Sequence, residues 1–241
     1  MRESAIVRSR GRYIAAILAL GFLLNGCGGA ITHEVCGTVL STDGPIEING
    51  HPAGSPNSLP DLCAGTIIHT SSGGKIEIAC LANALIHLSE DTTLEIESIT
   101  LRKDGNETDD EIEARAARCR LKSGVIDLSH QGTEGVAEFI ASTPHGRLIA
   151  KFNSVARIAV DDKKTRILCA SGTVSFVPVN QGAPVIVEAG FVAECTPSTA
   201  AVAAAAGNAS DQHALIDLFD RAQRLESLFK SRGASFPRKS H

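Results

Sequence analysis

"EFIASTPHGRLIAKFNSVARIAV", from Glu138 to Val160, holds two alternating runs of residues around one break. Phe139 and Ala141 alternate with their neighbours on one side, and Leu148, Ala150 and Phe152 do so beyond Gly146, which is the period of half-buried strands. The break itself is Thr143-Pro144-His145-Gly146. Proline fixes φ and removes a hydrogen-bond donor, while glycine accepts backbone angles closed to other residues. Thr143, Pro144 and Gly146 therefore read as an architectural turn that carries the chain from one layer of the domain to the next. His145 reads as an exposed turn histidine, since no nucleophile or carboxylate stands at a spacing that would make it a base or a ligand.

On either side of this stretch the chain is a series of short strands punctuated by glycine and proline. "GGKIEIACLANALIHLSEDTTLEIESITL", Gly73 to Leu101, holds strands around Ile76-Ile78, Ile86-Leu88 and Leu94-Ile96, with Ser89-Glu90-Asp91-Thr92 as a tight turn. His33, His51, His69, His87 and His130 are scattered singly, and His87, between Ile86 and Leu88, reads as a solvent-facing strand residue. "NGHPAGSPNSLP", Asn49 to Pro60, is a loop. The run from Asp104 to Cys119 crowds Asp109, Asp110, Glu111 and Glu113, but it lacks the alternating oxygen ligands around a turn glycine that calcium requires, and reads as a solvated acidic loop.

A glycine precedes a β-branched strand start in Gly37-Thr38-Val39, Gly124-Val125-Ile126 and Gly172-Thr173-Val174, where it permits a bend or a close backbone approach. A chain that re-enters short strands in this way can coil into a solenoid or close into a sandwich. The expected fold is mainly β.

The order of these segments is specific. Gly37-Thr38-Val39, "LCAGTIIHTSSGGKIEIACLANALIHLSEDTTLEI", "RLKSGVIDLS", "FIASTPHGRLIAKFNSVARIAV", "TRILCASGTVSFVP" and "APVIVEAG" resemble, in sequence order, the FecR domain, a family named for a periplasmic sensor of iron-siderophore uptake. The pattern covers residues 35–195, and its best mark is Thr143-Pro144-His145-Gly146. It departs at Asn153-Ser154, where the family has Gly-Thr; asparagine is the non-glycine residue most tolerant of left-handed backbone, so a bend is expected there all the same. The resemblance implies a β-solenoid-like domain of coiled strands, with a β-sandwich as the alternative, that binds a protein partner or a ligand. In sensors of this family it also implies a preceding anti-sigma segment and a spanning helix. Here only a signal peptide is expected ahead of the domain, so direct control of transcription is not expected, and iron is not required.

The first residues have the layout of an export signal. Arg2, Arg8, Arg10 and Arg12 precede an apolar run from Tyr13 to Leu24, shorter than the ~20 residues that cross ~30 Å of hydrocarbon. Leu24-Asn25-Gly26-Cys27 resembles the lipobox of bacterial lipoproteins, which implies residues 1–26 as a signal peptide, Cys27 as lipid acceptor and 27–34 as a tether. Several acyl chains, at ~0.8 kcal/mol per buried methylene, hold a protein on a bilayer almost irreversibly. By the same resemblance Gly28, where Asp would favour retention in the inner membrane, points to the periplasmic face of the outer membrane.

Of the seven cysteines, setting aside Cys27 leaves Cys36, Cys63, Cys80, Cys119, Cys169 and Cys195. An even number in an oxidising compartment makes all six candidates for disulfides, and at least one bridge is expected. Cys80, Cys119 and Cys169 share parity with apolar residues, so burial as small hydrophobes is the competing reading. Six cysteines allow 15 connectivities and the spacing selects none of them.

After Cys195 the composition changes. Residues 196–209 are an Ala-rich linker, 210–232 a helix and 233–241 a tail. Ser210 is positioned to cap the helix and Asp211 to complement its dipole, while Lys230, Arg232 and Gly233 suit its end. Leu215, Leu218, Phe219, Ala222, Leu225, Leu228 and Phe229 fall on one apolar stripe. It could pack on its own domain, meet a partner helix, or serve as a self-association seam.

Composition narrows the function. A net charge of -4 offers no basic footprint for nucleic acid, and 4% aromatic residues with one Tyr and no Trp argue against stacking platforms. Gly-x-Ser-x-Gly, His-Glu-x-x-His, phosphate loops and Cys-x-x-Cys metal spacings are absent, so no catalytic residue, cofactor or metal is assigned. The expected function is a non-enzymatic, lipid-anchored envelope protein that recognises a protein partner or ligand in a sensing, signalling or scaffold role. The alternative is a hydrolase of envelope polymers whose site is assembled from isolated residues.

Overall fold

A computed structural model describes residues 31–54, 59–81, 84–103, 112–131, 136–150, 153–180, 183–197 and 205–233. The export segment with Cys27, the acidic cluster Asp109 to Glu111, Phe152, most of the Ala-rich linker and the tail after Gly233 lie outside the described residues.

Alternation of apolar and polar side chains produces strands that bury one face. In chain order these are β1 (Ile31–Glu34), β2 (Thr38–Asp43), β3 (Ile46–Ile48), β4 (His51–Pro52), β5 (Ile67–Thr70) and β6 (Lys75–Leu81). Then come β7 (Ala84–Leu88), β8 (Thr92–Lys103), β9 (Ile112–His130), β10 (Val136–Thr143), β11 (Gly146–Ala150) and β12 (Ser154–Val160). The last are β13 (Thr165–Ser171), β14 (Thr173–Pro178), β15 (Val185–Glu188), β16 (Phe191–Cys195) and β17 (Ala205–Ala206), followed by the helix α1 (Ala209–Gly233). Among the described residues all seventeen strands belong to one mixed hydrogen-bonded sheet, followed by one C-terminal helix, so the protein is mainly β.

The sheet has two leaves joined through β9. The N-terminal half of β9 pairs with β8 and β10, and its C-terminal half pairs with β7 and β12. One leaf continues through β3, β5, β8, β9, β10, β11, β14 and β15; the other runs β2, β6, β7, β9, β12, β13, β16 and β17. Successive strands and hairpins alternate between the leaves, and among the described residues only β9 with β10 is parallel. One core receives both inner faces: Ile68, Leu94, Phe139 and Phe176 from the first leaf, and Ile78, Ile86, Ile126 and Ile167 from the second. β9 bends between leaves at Gly124, where φ is +92° and a Cβ would come within 2.5 Å of the Thr92 backbone.

The Thr-Pro-His-Gly break differs from its expected role. Thr143 pairs with Gly146, so Pro144 and His145 form a two-residue hairpin that keeps β10 and β11 in the same leaf. Gly146 does not have positive φ; it is needed because a Cβ would run into the Phe176 ring and the Val177 carbonyl oxygen. The change of leaf comes at the next break, where Asn153 takes φ +56° before β12. This is the bend expected of Asn153.

Helix α1 starts at Ala209, and its cap lies two residues before Ser210. The Asn208 side-chain oxygen accepts from the Asp211 N–H at 3.0 Å, and the Asp211 carboxylate accepts from the Asn208 N–H at 3.0 Å. This is a capping box in which Asn208, not Ser210, is the cap. Asn208→Ala is expected to lower unfolding stability by ~1 kcal/mol in urea titration. Ser210→Ala should leave it within ~0.3 kcal/mol, and equal losses at the two positions would contradict this assignment.

Candidate functional site

The outer face of the second leaf carries a row of polar side chains, one from each of five adjacent strands. Ser41 on β2 stands opposite Glu77 on β6, Glu77 opposite His87 on β7, His87 opposite Asp127 on β9, and Asp127 opposite Arg157 on β12. The row then turns apolar, through Leu168 on β13 to Val192 on β16. Period-2 alternation produces most of this line, because Glu77, His87, Asp127 and Arg157 are each flanked along their strands by inward apolar residues such as Ile76 and Ile78 or Ile126 and Leu128.

Helix α1 lies over the row. Leu215 packs with Leu168 and Val192, Leu218 and Ala222 with Val155, and Leu225 with Leu40, Ala79 and Leu85. Most of the apolar stripe is thus buried on the chain's own domain, while Ile216 and Phe219 point outward and are exposed. Two ion-pair sites fix the helix. Arg166 of β13 meets Asp211 at 2.5 Å, and Arg221 donates to Asp127 at 2.7 Å. Asp127 is fully buried and also receives Arg157 through two hydrogen bonds of 2.6 and 3.0 Å.

Between the helix and the row's β2 end lies a groove of about 290 Å³. Ser41, Asp43, Lys75 and Glu77 line it from β2 and β6, and Arg221 and Arg224 from the helix. His87 and Ser89 complete its wall. The Ser41 hydroxyl donates to Glu77 at 2.6 Å, and the His87 Nδ1 stands 3.6 Å from the same carboxylate, at ion-pair rather than hydrogen-bond distance. His87 holds the Glu77 carboxyl below its usual range against the opposing effect of burial, aided by Ser41 and by the charge of Arg224.

His87 is therefore buried, not solvent-facing as its place between Ile86 and Leu88 suggested. The face opposite the core is covered by α1, which strand parity alone does not reveal. His145 is likewise buried. Its Nδ1 lies 3.0 Å from the Thr165 hydroxyl, which donates to Thr143 Oγ1 at 3.0 Å, so the imidazole proton sits on Nδ1. Thr143 in turn donates to the Gly146 carbonyl. The turn histidine is a lock between β10, β11 and β13.

The cysteines divide by location. Cys36 and Cys63 form a disulfide beside the backbone bridge of Gly37 with Leu62. Cys80, Cys119, Cys169 and Cys195, named above as disulfide candidates, are free thiols inside the core. Burial pushes Cys80 up to about 12 and Cys169 up to about 11, and raises Cys119 and Cys195, so none is a reactive thiolate. Among the described residues no group of three His, Cys, Asp or Glu side chains is placed to hold a metal, and no helix is long and apolar enough to cross a membrane.

The fold and site define a two-leaved β domain with a helix clamped over one polar face. No protein-family model and no curated protein matches the sequence. Among solved structures the chain is similar to a "putative anti-sigma factor" from Parabacteroides distasonis ATCC 8503, seen in two crystal structures. Each gives a TM-score of 0.44 at 13% identity over 62% of this chain. The match spans 64% of the length of one and 63% of the other.

Proposed function

We propose that the chain is a non-enzymatic, lipid-anchored envelope protein whose FecR-like domain recognises a ligand or protein partner in a sensing or scaffold role. The observation that carries this reading is the groove beside α1. Its floor groups are held by one another, with Glu77 fixed by Ser41 and Arg221 fixed by Asp127, and a surface fixed before binding loses little freedom on binding. A protein partner would also meet α1 on its outer side, where Ile216 and Phe219 are exposed; self-association through residues 210–232 would use the same two side chains.

The wiring of the groove counts against hydrolysis. Ser41, His87 and Glu77 are the residue types of a nucleophilic triad, but a serine is activated by hydrogen bonding to the base, with the carboxylate behind it. Here Ser41 and His87 both address Glu77, so the imidazole is not placed to take the serine proton. The hydrolase alternative has no support in this arrangement.

The anchor is tested at Cys27. Cys27→Ser should abolish acyl labelling and leave unprocessed precursor, and cross-linking in intact envelopes should lose the partner recovered with the wild type. Labelling and maturation that persist in the variant would contradict the lipid assignment. A wild-type protein that cross-links to nothing would contradict the recognition role if it also binds no small ligand.

A further inference from the structure

The groove is lined by exposed charges that enter no ion pair among the described residues. Asp43 and Lys75 stand opposite each other at the β2–β6 pair, yet neither enters an ion pair among the described residues. Arg224, one turn beyond Arg221 on α1, feels Glu77 only at longer range. These three line one space with Glu77. The wall adds His87, whose side chain is 8% exposed and whose Nδ1 faces the Glu77 carboxylate at 3.6 Å.

The charges differ in sign. Lys75 and Arg224 offer donors to an oxyanion, with Arg221 beside them already committed to Asp127. Asp43 and Glu77 offer acceptors to a cation, and the Glu77 carboxylate stays ionised under its neighbours' influence. A simple anion would leave Asp43 and Glu77 facing it, and a simple cation would face Lys75 and Arg224. A molecule carrying both charges satisfies both sets through charge-assisted hydrogen bonds. The volume of about 290 Å³ limits it to a small one, at the lower end of the ~300–1,000 Å³ usual for ligand sites.

We propose that the groove between α1 and the β2–β6–β7 face binds a small zwitterion, a free amino acid or a dipeptide. Its carboxylate lies against Lys75 and Arg224, and its ammonium against Asp43 and Glu77. The proposal rests on the reading of the domain as a recognition module and names its ligand class.

The test is calorimetric titration of the full-length chain in detergent micelles with glycine, L-alanine and L-alanyl-L-alanine. The N-acetyl and C-terminal amide derivatives of the dipeptide are the controls. At least one zwitterion should saturate the protein, and each blocked dipeptide should bind about tenfold more weakly than the parent, the equivalent of one lost charged contact. Asp43→Asn should remove the preference for the free amine and Arg224→Gln the preference for the free carboxylate, with unchanged thermal unfolding showing that both variants fold. Absence of saturation by all three zwitterions up to about 10 mM would overturn the proposal, since that corresponds to less than ~3 kcal/mol of binding. Equal binding of the N-acetyl dipeptide would overturn it in favour of a plain anion site, and unchanged preferences in the two variants would place binding elsewhere. Envelope cross-linking that persists while the zwitterions fail leaves the recognition role standing without this ligand. Zwitterion binding with no anchor and no partner does the reverse.

Discussion

Asp127→Ala is expected to lower the unfolding free energy by about 3 kcal/mol and to loosen the middle of α1. The carboxylate is 1% exposed and serves two guanidinium groups from different elements, Arg157 on β12 and Arg221 on α1. Removing it leaves two cations side by side over the polar row with no shared anion. Breaking a fully buried pair costs ~3–5 kcal/mol, and the lower end applies here because Arg157 and Arg221 retain 20% and 25% side-chain exposure and can turn partly to water. Asp127→Asn, which keeps the shape and one acceptor, should lose less. Urea unfolding gives the energies, and amide exchange along Ala214 to Leu225 reports the helix. A variant within ~0.5 kcal/mol of wild type, with unchanged helix protection, would show that apolar packing alone seats α1.

The position of Asp127 also shows where sequence reading stops. The alternation in "RLKSGVIDLS" places Asp127 on the face away from Ile126 and Leu128, which is where it is. Parity cannot say whether that face meets water or a helix more than eighty residues later in the chain. The same gap explains His87, which lies under α1 as a consequence of contacts remote in sequence. Local signals were more legible. Glycine before Val125 and asparagine at 153 mark the two bends, since each concerns a single residue's backbone angles, and these are properties of the residue type. The helix and its stripe were legible for the same reason, because periodicity is local. The partner of the stripe was not, being set by the shape of the second leaf, where Leu40, Leu85 and Val155 leave an apolar diagonal beside the polar row. His145 was hidden by its neighbours' chemistry: a hairpin tip is normally wet, but here Thr165 of the other leaf reaches the ring.

Reduction or removal of the Cys36–Cys63 bridge is expected to cost about 3.5 kcal/mol, the chain-entropy value for a loop of its size. The two residues are 27 apart in sequence, and the intervening chain includes residues 49–60, a Gly-, Pro- and Asn-rich stretch with few large apolar residues. The bridge joins the connection between β1 and β2 to the segment before β5, next to the mutual hydrogen bonds of Gly37 and Leu62 at 2.9 Å. Cys36 is exposed and Cys63 half-buried, so the bond is open to reductant in the folded protein. The four remaining thiols differ in kind. Cys80, Cys119, Cys169 and Cys195 occupy core positions where each packs as a small hydrophobe, and burial keeps them protonated. Alkylation without reductant should therefore label none of the six in the native protein and four after denaturation, with Cys36 and Cys63 appearing only once reductant is added. The double variant Cys36→Ser/Cys63→Ser should show the same stability loss as reduced wild type. Six thiols labelled in denaturant without reductant would remove the bridge from the protein, and a double variant as stable as wild type would show that Gly37, Leu62 and the surrounding core hold this corner without it.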